Sequence, residues 1–365
     1  MAQKSILLLS TGGTIAGNVA SNHAHVDAQG FRELLSNVTT MVKDKWNVSL
    51  DVTAKDLKDR EGEVINVDSS NILPLHWELL SDTIYDNYDD YDAFVIIHGT
   101  NTLGYTASAL SFVFENINKP VIITGSQVPI DFPGSDAIMN LDNAIRVAVW
   151  PFHPIRGVVT VFGSHIISGT RTKKSTEFDY DAFTSFNTGS LGRIGRIIDI
   201  NEENLLKHNA YYEKGSEIAF SKESLIIKNH FDMNIASLTE FPGLTNDFLI
   251  GLHKNSHIKG LIIRAFGAGD MSEHLHESLQ YFQKNKIPVI ITTQVANGNS
   301  TFLVNEPGQI ISKNKWAIPA FDMSIEAQTT KLAWLIGQNK SYGEILEMMS
   351  RNLKGELNVL KERKQ

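Results

Sequence analysis

Short unbroken apolar runs recur along this chain, and most are followed by a stretch whose apolar positions return every three or four residues. The first run, Ser5-Ile6-Leu7-Leu8-Leu9-Ser10, precedes a helical pattern over 29–43 and a strand-like run at 48–52. A helix is expected at 73–88 and a strand at 94–98. A helix at 106–118, a strand at 121–124, a helix at 136–149 and a strand at 157–162 continue the alternation. Unbroken apolar strands separated by amphipathic helices predict a largely parallel sheet with helices on both faces. The stretch 197–224 breaks the pattern with Glu-Glu-Asn, Lys-His-Asn and Glu-Lys-Gly-Ser, and reads as a linker. Beyond it the alternation resumes, with strands expected at 235–238, 260–264 and 289–292 and helices at 247–255, 273–285, 325–337 and 342–353. The expectation is an α/β protein: a larger N-terminal domain at 1–196, a linker at 197–224 and a smaller C-terminal α/β domain at 225–365.

The 365 residues, 42% of them hydrophobic, supply core material for two domains. The net charge of -8 comes from interspersed acids and bases, with no basic stripe, which argues against a nucleic-acid partner. Cysteine is absent, which excludes disulfides, thiolate metal sites and thiol catalysis and fits a reducing compartment. No stretch approaches the roughly 20 apolar residues of a membrane span. The chain reads as cytoplasmic, with no membrane partner.

Two strand ends carry chemistry. The first run enters Thr11-Gly12-Gly13-Thr14, and Ala93-Phe94-Val95-Ile96-Ile97 enters His98-Gly99-Thr100-Asn101-Thr102. Each run stops at glycine and then offers hydroxyls. In a parallel sheet such ends open onto the crevice where ligands sit, so both turns could face one ligand. Glycine frees backbone N–H groups for an anion or oxyanion. The spacing of Gly12, Gly13 and Gly17 is not that of a dinucleotide loop, and no Walker sequence occurs. A threonine hydroxyl needs a base or a cationic neighbour to act as nucleophile, and Lys173 or Lys174 could serve. The pairs His23/His25 and His274/His276 lack a third ligand at metal spacing, and the Asp86–Asp92 cluster lacks the order of a calcium loop, so no metal or other cofactor is expected.

These residues resemble those of the bacterial L-asparaginases, closest to the cytoplasmic type I group. The likeness is carried by Thr11 to Ile15, Asp68-Ser69-Ser70, His98-Gly99-Thr100, 105–112, 119–127, Arg171 to Lys174, Asp181-Ala182-Phe183 and 322–332. It implies a cofactor-free hydrolysis of a side-chain amide. Thr14 would form an acyl-enzyme and release ammonia, and Thr100 with Lys174 would handle the proton. Asp68, Ser69, Ser70, Gly99 and Thr100 would hold the substrate together with Asn101, His25, Asp270 and Glu326. The resemblance further implies an intimate homodimer, often doubled to a tetramer, in which a neighbour completes each site.

Four positions depart from that pattern. Asn101 stands where the family has an aspartate that binds the substrate ammonium, and Asn71 stands where an aspartate usually follows the serines. His25, or His23, takes the place of a loop tyrosine. Gly267-Ala268-Gly269-Asp270 replaces Gly-x-Gly-Asn, and Asp270 could restore the charge lost at Asn101. Three readings follow: an asparaginase with a rearranged ammonium site, an amidohydrolase of altered substrate, or a weakened or inactive amino-acid-binding homologue. The type I group is also associated with activation by asparagine through a site that includes a cysteine after Thr-Gln. Here Val295 follows Thr293-Gln294, so altered or absent activation is expected.

Overall fold

The computed structural model describes residues 2–12, 28–130, 132–213, 219–302 and 304–358, with the side chains of 28–32 left aside. The chain divides into two compact units, Met1–Asn229 and His230–Gln365.

In the first unit, β1 (Ala2–Ser10), α1 (Ala28–Trp46), β2 (Val48–Asp56), α2 (Pro74–Asp86), β3 (Ala93–Ile97), α3 (Leu103–Val113), β4 (Pro120–Thr124), α4 (Ala137–Ala148) and β5 (Gly157–Phe162) follow the expected alternation. They continue into β6 (His165–Ser168), β7 (Thr172–Lys174), β8 (Phe183–Ser185), β9 (Gly192–Ile194), β10 (Ile198–Ile200) and α5 (Glu202–Ala210). One eight-stranded sheet runs β10-β9-β6-β5-β4-β3-β1-β2, and β7 pairs with β8 separately. From β2 through β5 neighbouring strands are parallel; β6, β9 and β10 extend the sheet antiparallel. Ile6 to Leu9 and all of β3 are at most 1% exposed, as unbroken apolar strands covered on both faces require. The winding reverses between β1 and β3, because β2 lies outside β1 while β3, β4 and β5 succeed one another on the other side. Such a reversal leaves a crevice at the carboxyl ends of the two strands.

The expected linker is built into this unit. β10 pairs with β9, and α5 is capped by the Asn201 side chain, which accepts from Asn204 N at 3.0 Å. Leu205 and His208 of α5 are buried. The unit extends to 229 because Phe114 bridges Ile227 and Ile117 bridges Ala219, which also ends α3 at Val113 rather than at the expected 118. The Asp86–Asp92 cluster is structural: Asp92 accepts from Lys4 Nζ and Ser5 N, both at 2.8 Å, and Asp86 pairs with Lys222 at 2.9 Å.

The second unit holds β11 (Ile235–Thr239), α6 (Asn246–Ser256), β12 (Gly260–Ala265), α7 (His276–Lys284), β13 (Val289–Thr293), α8 (Glu306–Asn314), β14 (Ile318–Pro319), α9 (Ile325–Gly337) and α10 (Tyr342–Met349). Its sheet is parallel in the order β11-β12-β13-β14. Leu249, Leu261, Ile263, Leu279, Phe282 and Ile291 belong to its core. Among the described residues no helix is long and apolar enough to cross a membrane, and no group of three or more His, Cys, Asp or Glu is placed to hold a metal ion.

Candidate active site

Because β1 and β3 are in register, with Ser10 opposite Ile97, their terminal turns leave the sheet side by side. Thr11 is tied across the gap: its N–H and its hydroxyl both donate to Ile97 O at 3.2 Å. Gly12 has φ +106, and a Cβ there would meet Val67 O at 2.7 Å and Asn66 Oδ1 at 2.8 Å, so only glycine lets the turn lie against this segment. Val67 N in turn donates to Thr11 O at 3.2 Å. The end of β1 is thereby docked on the chain that leads directly to Asp68.

Residues 69–71 form a single 3-10 turn capped by Asp68, whose carboxylate accepts from Ser70 N at 2.8 Å. That backbone bond and the Ser70 side chain hold the exposed Asp68 carboxyl below the usual range. Ser69 is 2% exposed and joins this turn to the one after β3: Asn101 N donates to its Oγ at 3.2 Å, and Thr102 Oγ1 donates to its carbonyl at 2.6 Å. The Asn101 side-chain amide donates to Ser70 Oγ at 2.9 Å. Gly99 presses on the same serine; a Cβ at 99 would stand 2.6 Å from Ser69 Oγ and 2.9 Å from its Cβ.

Lys174 reaches this turn from β7. Thr172 anchors that strand by donating to Thr160 Oγ1 on β5 at 2.9 Å, and Lys174 lies opposite Phe183 in the β7–β8 pair. Its ammonium is 2.8 Å from Thr100 Oγ1, and no carboxylate among the described residues forms an ion pair with it. Burial lowers its pKa, with Glu177 pulling weakly the other way. A lysine moved toward its neutral form beside a hydroxyl is the pairing that proton transfer requires.

The structure thus gathers Asp68, Ser69, Ser70, Gly99, Thr100, Asn101 and Lys174 in the first unit. Thr14, His23 and His25 lie outside the described residues. Asp270 and Glu326 belong to the second unit. Asp270 closes a tight turn in which Asp270 N donates to Phe266 O at 2.8 Å, and its carboxylate accepts from Asn305 Nδ2 at 2.5 Å. Glu326 lies 8% exposed in the first turn of α9. Asn71 sits in the 3-10 turn with its backbone N–H on Asp68 O at 2.8 Å. Of the other histidine pair, His274 ring Nε2 meets Leu244 O at 2.9 Å and His276 opens α7. His98, read from the sequence only as part of the strand-end turn and given no role there, forms a buried chain with Thr106 and Trp77 behind the turn; a histidine directly after a five-residue apolar strand is the available signal.

A doubly wound sheet with hydroxyls and a lysine converging at its switch point defines a two-unit α/β protein whose site suits proton transfer at a hydroxyl. Residues 5–206 match the family described as Asparaginase, N-terminal, and residues 234–349 match the Glutaminase/Asparaginase C-terminal domain. The L-asparaginase 1 of Escherichia coli K12 is 33% identical over 98% of this chain and 99% of that one. A component of the glutamyl-tRNA(Gln) amidotransferase of Methanococcus maripaludis is 30% identical over 97% of this chain and 81% of that one. The crystal structure of L-asparaginase I from Vibrio cholerae superposes with a TM-score of 0.77 at 31% identity, covering 98% of this chain and 100% of that one. The chain belongs to the asparaginase family.

Proposed function

We propose that this protein hydrolyses the side-chain amide of asparagine to aspartate and ammonia. The observation that carries the reading is the 2.8 Å contact between Lys174 Nζ and Thr100 Oγ1 at the β1/β3 switch point. Thr14 attacks the carboxamide carbon, and the proton from its hydroxyl passes through Thr100 to Lys174. Backbone N–H groups at Gly99 and Thr100 receive the developing oxyanion. The proton returns from Lys174 to the departing nitrogen and ammonia leaves; water then adds to the acyl carbon, and its proton goes back to the Thr14 oxygen as aspartate is released. Asp68, Ser69 and Ser70 hold the substrate backbone atoms, His25 serves as a further substrate-binding residue, and Asp270 and Glu326 complete the site from the second unit of a neighbouring copy in a homodimer or tetramer. The domain reading accompanying this function keeps an N-terminal catalytic unit and a smaller C-terminal unit, with the boundary near 229.

A second reading, an amidohydrolase for a substrate whose α-amino group is missing, acylated or displaced, is favoured by one observation. Asn101 presents a neutral carboxamide that donates to Ser70 Oγ, so residue 101 brings no negative charge, and the carboxylate of this corner, that of Asp68, is already engaged by Ser70. Ammonia release from L-asparagine, L-glutamine, D-asparagine and N-acylated asparagine separates the readings. Turnover of L-asparagine supports the first. Turnover of only the acylated substrate supports the second, and no turnover by the parent with recovery in Asn101→Asp refutes the first.

A further inference from the structure

The site needs a backbone donor aimed at the substrate carbonyl, and the structure contains a device that aims one. Thr100 N–H donates to no group among the described residues. A trans peptide holds C=O and N–H antiparallel in one plane, so whatever fixes Gly99 O also fixes the direction of Thr100 N–H. Gly99 O is fixed by the ring of His98, whose Nδ1 lies 2.7 Å away.

The ring itself is held from every polar atom. His98 is 2% exposed, and its backbone N–H donates to Thr124 O at the end of β4 at 2.9 Å. Its Nε2 is 2.9 Å from Thr106 Oγ1 on α3, and Trp77 Nε1 on α2 donates to that same hydroxyl at 3.0 Å. A carbonyl only accepts, so Nδ1 carries the proton. Nε2 of the neutral ring then accepts from the Thr106 hydroxyl, which keeps a lone pair for the Trp77 N–H. In this assignment each of these contacts pairs one donor with one acceptor, the condition under which a buried polar chain is rigid. Burial pushes the ring pKa down to about 4, and nearby His76 acts in the same direction, so the neutral form is the working one.

We propose that His98 is a positioning residue: its Nδ1–H, locked by Thr106 and Trp77, turns the Gly99–Thr100 peptide so that Thr100 N–H faces away from the core toward the reacting carbonyl. The inference rests on the function proposed above and adds a residue that touches no substrate.

The test separates aim from packing. Glutamine at 98 reaches the Nε2 position and loses the Nδ1 donor; asparagine places an N–H near Nδ1 and loses the Nε2 acceptor. Loss of a whole oxyanion donor costs about 10²–10³ in kcat, so a misaimed one in His98→Gln is expected to cost about 10- to 100-fold, with KM within about twofold. His98→Asn is expected to recover most of that loss. Nitrogen-15 NMR of the parent imidazole should show a protonated Nδ1 and a bare Nε2 at neutral pH. Unchanged kcat in His98→Gln, an equally deep loss in His98→Asn, or a proton on Nε2 overturns the proposal. Failure of the parent to release ammonia from any amide named above refutes the functional reading instead, and the NMR measurement still decides the aim of the peptide.

Discussion

Gly99→Ala tests whether the two halves of the site are held by steric contact. Gly99 does not adopt a positive φ, so alanine meets no backbone strain there, and the smaller conformational freedom of the unfolded chain favours it by about 0.4–1 kcal/mol. The opposing effect is local. The new methyl would stand 2.6 Å from Ser69 Oγ, 2.9 Å from Ser69 Cβ and 3.4 Å from Ser69 N. Rotation about χ1 moves the hydroxyl aside but leaves Cβ in place, and carbon atoms rest at about 3.5–4.0 Å. The turns at 69–71 and 98–102 must therefore part by about 0.6–1 Å, starting from that ideal separation. Overpacking of this kind costs about 1–3 kcal/mol, for a net loss near 1–2 kcal/mol. Displacement of that size at a reacting group lowers kcat by about 100-fold. Ser69→Gly removes both offending atoms and alone costs about 1 kcal/mol through the lost Asn101 N–H bond. In urea melts of the four proteins, the double variant should exceed the sum of the singles in stability by about 1–2 kcal/mol. Additive losses would refute the contact, and full kcat in Gly99→Ala would refute its role in holding the site.

Four further outcomes follow from the same geometry. Lys174→Met should lower kcat by about 10²–10⁴-fold without lowering the melting temperature, since a partly desolvated cation is removed; residual activity near the parent level would exclude Lys174 as base. Because burial depresses its pKa, the rise of kcat/KM with pH should fall below the ordinary lysine value, and Glu177→Gln should move it lower still; the unfolded chain binds the extra proton between the two pKa values, so this group's contribution to stability rises with pH there. Asn101→Asp should lower KM for asparagine by about 10-fold or more, the worth of one charge-assisted hydrogen bond, and Asp270→Asn should raise it in the parent; steady-state kinetics on both decides whether charge at this corner matters. In the second unit Lys331 and Glu356 form a fully buried pair at 2.5 Å. Burial opposes the charge on Glu356, but Lys331 and the N–H groups of Leu353 and Lys354 overcome it and hold the carboxyl below its usual range. Its contribution is complete above the unfolded carboxylate pKa and lost as pH falls through the lower folded value, and Lys331→Met should destabilise this unit by about 3–5 kcal/mol at pH 7 in a calorimetric scan.

The central strands were legible because burial on both faces leaves no alternative to an unbroken apolar run, as in β1 and β3. Three-residue strands such as β9 and β10 contain too few positions to show a period, so the sheet's antiparallel edge was not foreseen. α5 was hidden by polar residues, although Asn201 at its cap, Glu202 and Glu203 in its first turn and Lys207 and His208 in its last form a start-and-stop signal. At the site, glycines and hydroxyls announced the two turns, and the likeness to a family selected Lys174 from its neighbour Lys173. The pairing of Asp270 with Asn305 was not legible, because it joins residues far apart in sequence through a turn made by Gly267 and Gly269.

The site at the β1/β3 reversal draws its parts from distant points of the chain, and their order sets when competence first arises during synthesis. The turn after β1 is made early, its partner after β3 comes much later, and the lysine emerges only with β7, once β4, β5 and β6 have been laid down. A nascent or truncated chain lacking β7 therefore owns the hydroxyls without their base. The activity proposed here is withheld until β7 exists and, because Asp270 and Glu326 come from the second unit of a neighbouring copy, until that unit has been made as well.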